Sequence, residues 1–356
     1  MPLITRQGKG SKLTIQEMDD NLLYLQSLGI PTNKLNNSTT NPSILNYRIT
    51  TGGNFVDTDT LVVYNSINAQ STSLTTLDLG ALISIGNGNA IISNTSLTDL
   101  DLGALTTVGV DNQIQDNTAL TTLDLGVLTM VGGGNYIIGN TLLTTLDLGA
   151  LSSVGGPNQI YGNTLMTTLD LSALTSVGNN NQIYGNTLMT TLDLSALSSV
   201  GSDNIIYDNT SMTDLDLSAL TSVGSSNYIY DNPAMTSLDL SALASVSTYN
   251  AIYNNAVLTT LDLSALSSVG SYYSIFNNAA LTTLIVNPSG FSAASYDLAG
   301  NALDQTSVDN FLISLVASGA TPTTVDLTDG TNSTPGAPGL AAISTLQGLG
   351  WTITTN

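Results

Sequence analysis

An aspartate recurs at Asp78, Asp101, Asp124, Asp147, Asp170, Asp193, Asp216, Asp239 and Asp262, each 23 residues after the last. No residue is gained or lost between copies, so a repeat runs unbroken from Leu74 to Ala280. One copy reads Thr168, Leu169, Asp170, Leu171, Ser172, Ala173, Leu174, then Val177, Gly178, Asn181, Ile183, Tyr184 and Asn186. A strict period of roughly 20 to 29 residues with this leucine spacing signals a solenoid, a chain wound into stacked coils.

Within a coil, Leu77 and Leu79 alternate with Thr76 and Asp78, as in a strand with one buried face. Ala81, Leu82 and Ile85 supply a second inward segment, closed by Gly86. Asn89, Ile91 and Asn94 supply a third. Like residues of successive coils then stack at strand spacing, about 4.8 Å. No coil can bury its own leucines, so the array stands together. Ile91 to Ile275 form an inward ladder. Asn89 to Asn250 and Asn94 to Asn278 form two asparagine ladders, where a side-chain amide can hold a tight corner.

Outside residues 74–286 the period changes. Residues 45–73 read as an imperfect first coil, with Arg48 expected over Asp78 at the head of the aspartate column. Beyond Val286, helices are expected over 304–318 and 340–349, with strands over 324–327 and 351–355. Residues 287–356 thus read as two β/α coils that continue the sheet carrying Thr-Leu-Asp-Leu and cap the open end of the core. Reading the loop 330–339 as a calcium site rests on Asp326 and Asp329 alone. The expected fold is mainly β: a leucine-rich-repeat-type β-solenoid of 23-residue coils, with an N-terminal helix and a β/α C-terminal cap.

Composition excludes several chemistries. The chain of 356 residues has no cysteine and no histidine. Disulfides, thiolate or imidazole metal ligands and histidine-based triads are therefore absent. The net charge is −21, and all five basic residues, Arg6, Lys9, Lys12, Lys34 and Arg48, precede residue 49. Only Glu17, Asp19 and Asp20 of the 26 acids lie in that stretch, leaving 23 among residues 49–356, which hold no Lys or Arg. Such a surface repels phosphate backbones, so no nucleic-acid partner is expected. No apolar run reaches the roughly 20 residues of a membrane span. Met1 to Ser11 is basic and lacks the apolar core of a signal peptide.

Residues 1–30 are a different kind of sequence. Thr14 and Glu17 form a capping box, and a helix over 15–27 follows, ended by Gly29 and Pro31. Ile15, Met18, Leu22 and Leu25 form a two-heptad seam. Two heptads are marginal alone, so the seam docks on a partner, packs in an oligomer, or folds back over the first coil. Residues 31–44 read as a linker.

Two outward columns are candidate sites. The aspartate column, with Asp147, Asp170 and Asp193 at its centre, is read three ways: a solvated face, a face for carbohydrate or divalent cations such as calcium, or catalytic carboxylates. The last fits least, because glycoside hydrolysis needs two acids in different environments. The other column holds Tyr161, Tyr184, Tyr207, Tyr230, Tyr253 and Phe276, with Tyr136, Tyr228, Tyr249, Tyr272 and Tyr273 close by. Stacked tyrosines suit a sugar or protein partner; alternatively they stiffen the rod.

Met1 to Leu25, with Gly8-Lys9-Gly10-Ser11 and then Leu13, Thr14, Glu17, Met18, Asp19 and Asn21, resembles the N-terminal segment of bacteriophage tail-fibre and virion structural proteins. That resemblance implies attachment of residues 1–30 to other virion proteins or to copies of the chain. Residues 74–356 resemble the BspA-like class of leucine-rich-repeat proteins. They depart from it by carrying Asn-x-Ile-Tyr-x-Asn where the class has an aromatic-cysteine segment. Together these imply a non-enzymatic virion protein, without cofactor, that touches a host glycan or surface protein. A bacterial adhesin, a self-assembling filament and a polysaccharide-degrading enzyme are the alternatives.

Overall fold

The computed structural model describes residues 43–44, 47–49, 52–70 and 72–356. The chain winds as a parallel β-solenoid whose regular coils each give one strand to each of three sheets, which among the described residues number eleven, eleven and fourteen strands. In one coil these strands are Thr168–Asp170, Ser176–Val177 and Asn181–Tyr184. We call the sheets the aspartate, serine and asparagine sheets. In the regular coils each strand pairs with its 23-residue neighbour in register, as in Asp170↔Asp193, Val177↔Val200 and Tyr184↔Tyr207. The expected seam residues Ile15, Met18, Leu22 and Leu25 lie outside the described residues.

The interior follows the alternation. Leu169, Leu171, Leu174, Val177 and Ile183 are each at most 1% exposed, and their counterparts in other coils form one continuous core. Because the core is shared between coils, its burial stabilises interfaces rather than any coil alone.

Asparagines close the corners. In the first ladder, Nδ2 of each residue donates to Oδ1 of the next, from Asn89 to Asn250, at 2.7–3.0 Å. In the second, each side chain reaches back one coil. Oδ1 of Asn186 accepts from the Asn163 N–H at 3.1 Å, and its Nδ2 donates to the Ile160 carbonyl at 2.9 Å. This ladder runs one coil further than expected, to Asn301. The first ladder stops because Tyr273 stands where the next asparagine would be. Tyr273 is fully buried and packs with Phe291, Tyr296 and Phe311, so it is not part of the outward aromatic set.

On the serine sheet, glycines permit the close approach of coils. A Cβ on Gly178 would lie 2.1 Å from the Gly155 carbonyl oxygen, and one on Gly201 2.2 Å from that of Gly178. Where Ser247 replaces the glycine, its N–H to the Val223 carbonyl lengthens to 3.2 Å, against 2.8 Å at Gly178.

Both ends differ from expectation. Tyr47–Arg48 pairs with Ile67 and Asn68 in the asparagine sheet, so Arg48 does not head the aspartate column. Val56 lies over Asp78 instead. The early coils are shorter than 23 residues, as Val62↔Ser84 and Ser43↔Val62 show, and a register shift falls between Gly53 and Asn54. Counting back by 23 therefore fails there. Among the described residues the first strand starts at Ser43, inside the stretch read as linker.

At the other end, helix α1 (Gln305–Ser318) and helix α2 (Ala337–Gly348) form near their expected places, α1 with Asp304 as its N-cap. The strands Ser295–Asp297, Thr324–Leu327 and Thr352–Thr355, however, continue the asparagine sheet and not the aspartate sheet. The reason is α1. It buries Val308, Phe311, Leu312 and Leu315, and Ser307 Oγ accepts from the Leu284 N–H at 3.1 Å. The last aspartate-sheet edge is thus covered by a helix, which blunts it.

Replacing Asn186 by alanine orphans the buried Asn163 N–H and Ile160 carbonyl, each worth about 1–3 kcal/mol. N186A is expected to lose roughly 2–6 kcal/mol in a denaturant titration. A loss within error of a surface substitution would show that the amides do not carry the corners.

Candidate recognition face

The aspartate column is aligned as expected, with Asp124↔Asp147, Asp147↔Asp170 and Asp170↔Asp193 in register. Asp147, Asp170 and Asp193 are exposed. Each of the nine uses Oδ1 to accept the backbone N–H two residues on, at 2.8–3.0 Å. These turns hold the corner after the strand, an aspartate role that needs no ligand. At Asp170 the Ser172 N–H and hydroxyl hold the carboxyl below its usual range. Among the described residues no three carboxylates are gathered closely enough to hold a metal ion.

The tyrosine column lies on the outer face of the asparagine sheet. Tyr161, Tyr184, Tyr207, Tyr230 and Tyr253 follow one another with ring centroids 4.3, 4.5, 4.6 and 4.7 Å apart and planes within 12° of parallel. Phe276 continues the stack at 4.6 Å. Ile138 precedes it. All six aromatic residues are half-buried rather than exposed, because each ring covers the next. Sugar rings commonly pack on a free aromatic face. Here the internal faces are taken, so the column presents ring edges and phenol groups.

The residue after each tyrosine has positive φ: Gly162, Gly185, Asp208, Asp231 and Asn254. Only glycine, asparagine and aspartate sit there readily. The turn therefore sets carboxylates beside the later phenols. Burial raises the Tyr207 phenol, and Asp208 raises it further. Burial first, and then neighbouring phenols and the charges of Asp231 and Asp208, push Tyr230 up to about 12.

Sequence inspection named Tyr249 and Tyr272 as neighbours of the column but missed two contacts on this face. Tyr249 and Tyr272 stack at 4.9 Å, one residue ahead of the asparagine strand register. Gln159 and Gln182 join side chain to side chain at 2.7 Å on the position two before the tyrosines. Both were visible as 23-residue repeats. On the serine sheet a shallow groove of about 600 Å³ is lined by Ser153, Ser176, Ser199, Ser222, Ser245 and the neighbouring glycines. It offers neither charge nor aromatic surface.

One carboxylate pair does differ internally. Asp297 and Asp326 are register partners at the end of the asparagine sheet. Burial lifts the Asp297 carboxyl, the Ala299 N–H opposes this, and the Asp326 charge adds to it. Thr328, through its hydroxyl and N–H, lowers Asp326.

No helix among the described residues is long and apolar enough to cross a membrane. No protein-family profile, curated protein or solved structure matches the chain.

Asp297 holds its proton more tightly folded than unfolded, so its ionisation lowers stability as pH rises through the carboxylate range. D297N keeps the acceptor for Ala299 and is expected to melt higher than the parent at pH 7, the gain vanishing below about pH 4. Asp326 has the opposite sign: it stabilises above its unfolded value and loses this as pH falls. D326N is expected to melt lower at pH 7 and to converge with the parent in acid. Both effects stay under about 1 kcal/mol, because the pair is partly solvated. Thermal melts at the two pH values check the signs.

Proposed function

We propose that this chain is a non-enzymatic virion structural protein, a phage tail-fibre or appendage subunit. In this reading residues 1–30 attach it to other virion proteins or to its own copies, and the solenoid projects outward. The tyrosine face then meets a host surface protein or glycan, with no cofactor. The leucine spacing of the coils is read as kinship with BspA-like leucine-rich repeats.

The observation that carries the recognition half is the continuous aromatic column on a rod of fixed register. Tyrosine supplies contact area with little rotamer entropy to lose, and stacking has already restricted these rings. Ring edges and hydroxyls suit hydrogen bonding to a glycan or a protein surface. An exterior that carries 23 acids and, among the described residues, the single cation Arg48 steers the rod away from polyanions. Repetition also favours presentation over turnover, because equivalent columns offer no site unlike its neighbours. The attachment half rests on the N-terminal resemblance and on the apolar seam of Ile15, Met18, Leu22 and Leu25.

Two measurements test the halves separately. The mass of the full chain in solution, compared with a chain lacking residues 1–30, is expected to fall to that of a monomer. An unchanged mass removes self-attachment through this segment. On an array of glycans and host envelope fractions, the triple variant Y184S/Y207S/Y230S is expected to bind at least about tenfold more weakly. Binding equal to the parent's rules out the tyrosine face.

A further inference from the structure

The same column is also arranged for chemistry between its own members. Five phenols occupy successive parallel strands, with neighbouring rings 4.3–4.7 Å apart and near parallel. They stand half-buried on an outward face, where a small oxidant reaches them. Other phenols compete: Tyr249 and Tyr272 stack at 4.9 Å outside the column, and Tyr64 is exposed. There is no cysteine, and Trp351, the single tryptophan, is 4% exposed. We propose that the tyrosine column is a site of oxidative coupling. Neighbouring phenols of consecutive coils are joined through their ortho carbons into dityrosine by a haem peroxidase with hydrogen peroxide, or by an equivalent one-electron oxidant.

The step balances as follows. Each of two phenols gives up one electron and its hydroxyl proton. The two phenoxyl radicals pair their unpaired electrons in a new bond between ring carbons ortho to the oxygens. Each coupled carbon then loses its hydrogen as a proton, and each oxygen regains one. Two electrons and two protons reduce one hydrogen peroxide to two waters. The net change is two phenols and one peroxide to one linked biphenol and two waters.

Geometry favours this pairing over coupling between chains. A phenoxyl radical in solution must find a partner by diffusion; here the partner is held one coil away, an intramolecular advantage of the proximity kind. Coupling turns the rings from a stack into a twisted pair. The outward position lets the side-chain torsions supply that turn while the backbone ladder stays paired. The charges of Asp208 and Asp231 act on the phenols of Tyr207 and Tyr230. Phe276 has the same stacking geometry without the hydroxyl and marks where the reactive run ends. The product is a staple across 23 residues that ties one coil to the next, at the interfaces on which a solenoid depends.

The test uses the full chain at low concentration with a plant haem peroxidase and hydrogen peroxide, followed by peptide mass mapping. Linked peptides lighter by two hydrogens are expected to join Tyr161–Tyr184, Tyr184–Tyr207, Tyr207–Tyr230 or Tyr230–Tyr253 within one chain. They are expected to exceed, at least tenfold, products that involve Tyr64, which is 61% exposed and outside the column. The double variant Y184F/Y230F keeps every ring but leaves no two column phenols adjacent. It is expected to lose these products while melting like the parent before oxidation. Column products as abundant in that variant would overturn the proposal. So would coupling chiefly between chains or through Tyr64, or no dityrosine where free tyrosine couples under the same conditions.

Discussion

Equal coil length is the constraint on which this structure depends. Parallel strands hydrogen-bond only when the backbones of successive coils run alongside one another, and a side chain meets its counterpart only when each coil uses the same number of residues. Twenty-three residues satisfy both conditions in all three sheets at once. The asparagine amides then make equality self-enforcing. Asn186 bonds backbone groups of the coil before it, and an inserted residue would carry that amide away from both. The glycine column adds a steric condition, since neighbouring coils approach closely enough there that a Cβ would strike a carbonyl oxygen.

The regular coils were legible for that reason. Spacing alone predicts the pairing of Asp170 with Asp193, and alternation alone predicts that Leu169 is inside and Asp170 outside. Where coil length varies, the same arithmetic misleads. Arg48 was expected over Asp78, but the preceding coils are short and a bulge near Gly53 shifts the register, so Val56 takes the place. The C-terminal misreading has another cause. Thr324 to Leu327 repeats the pattern of the aspartate sheet, yet the edge of that sheet is occupied by α1 through Ser307 and Leu284. A strand pattern records which face is buried. It does not record which of several sheet edges remains open.

The candidate face was legible in identity and illegible in meaning. The tyrosines and aspartates could be named from their period. What the period does not convey is how a residue changes when its neighbours are copies of itself. An isolated surface tyrosine offers two ring faces and a hydroxyl; a stacked tyrosine offers an edge and a hydroxyl, because its faces are spent on the next rings. The aspartates make the parallel case. Read as a row of carboxylates, they suggest cation binding. In the folded chain each has one oxygen committed to the turn that follows it.

This distinction sorts the columns by what they leave over. An asparagine in the second ladder spends its amide on the preceding coil and has nothing left for a partner. An aspartate spends one oxygen and exposes the other to water, and repulsion along the column keeps that face open to solvent. A tyrosine spends its faces and keeps its hydroxyl at a spacing fixed by the strand repeat. At Tyr207 and Tyr230 burial, and then neighbouring phenols and carboxylates, raise that phenol above its ordinary value. Of the three, only the tyrosine column combines a rigid position, apolar area and a row of hydroxyls, with Tyr161 and Tyr184 hydrogen-bonded to each other. For that reason the chemistry of the rod, whether recognition or coupling, is assigned there and not to the more numerous charges.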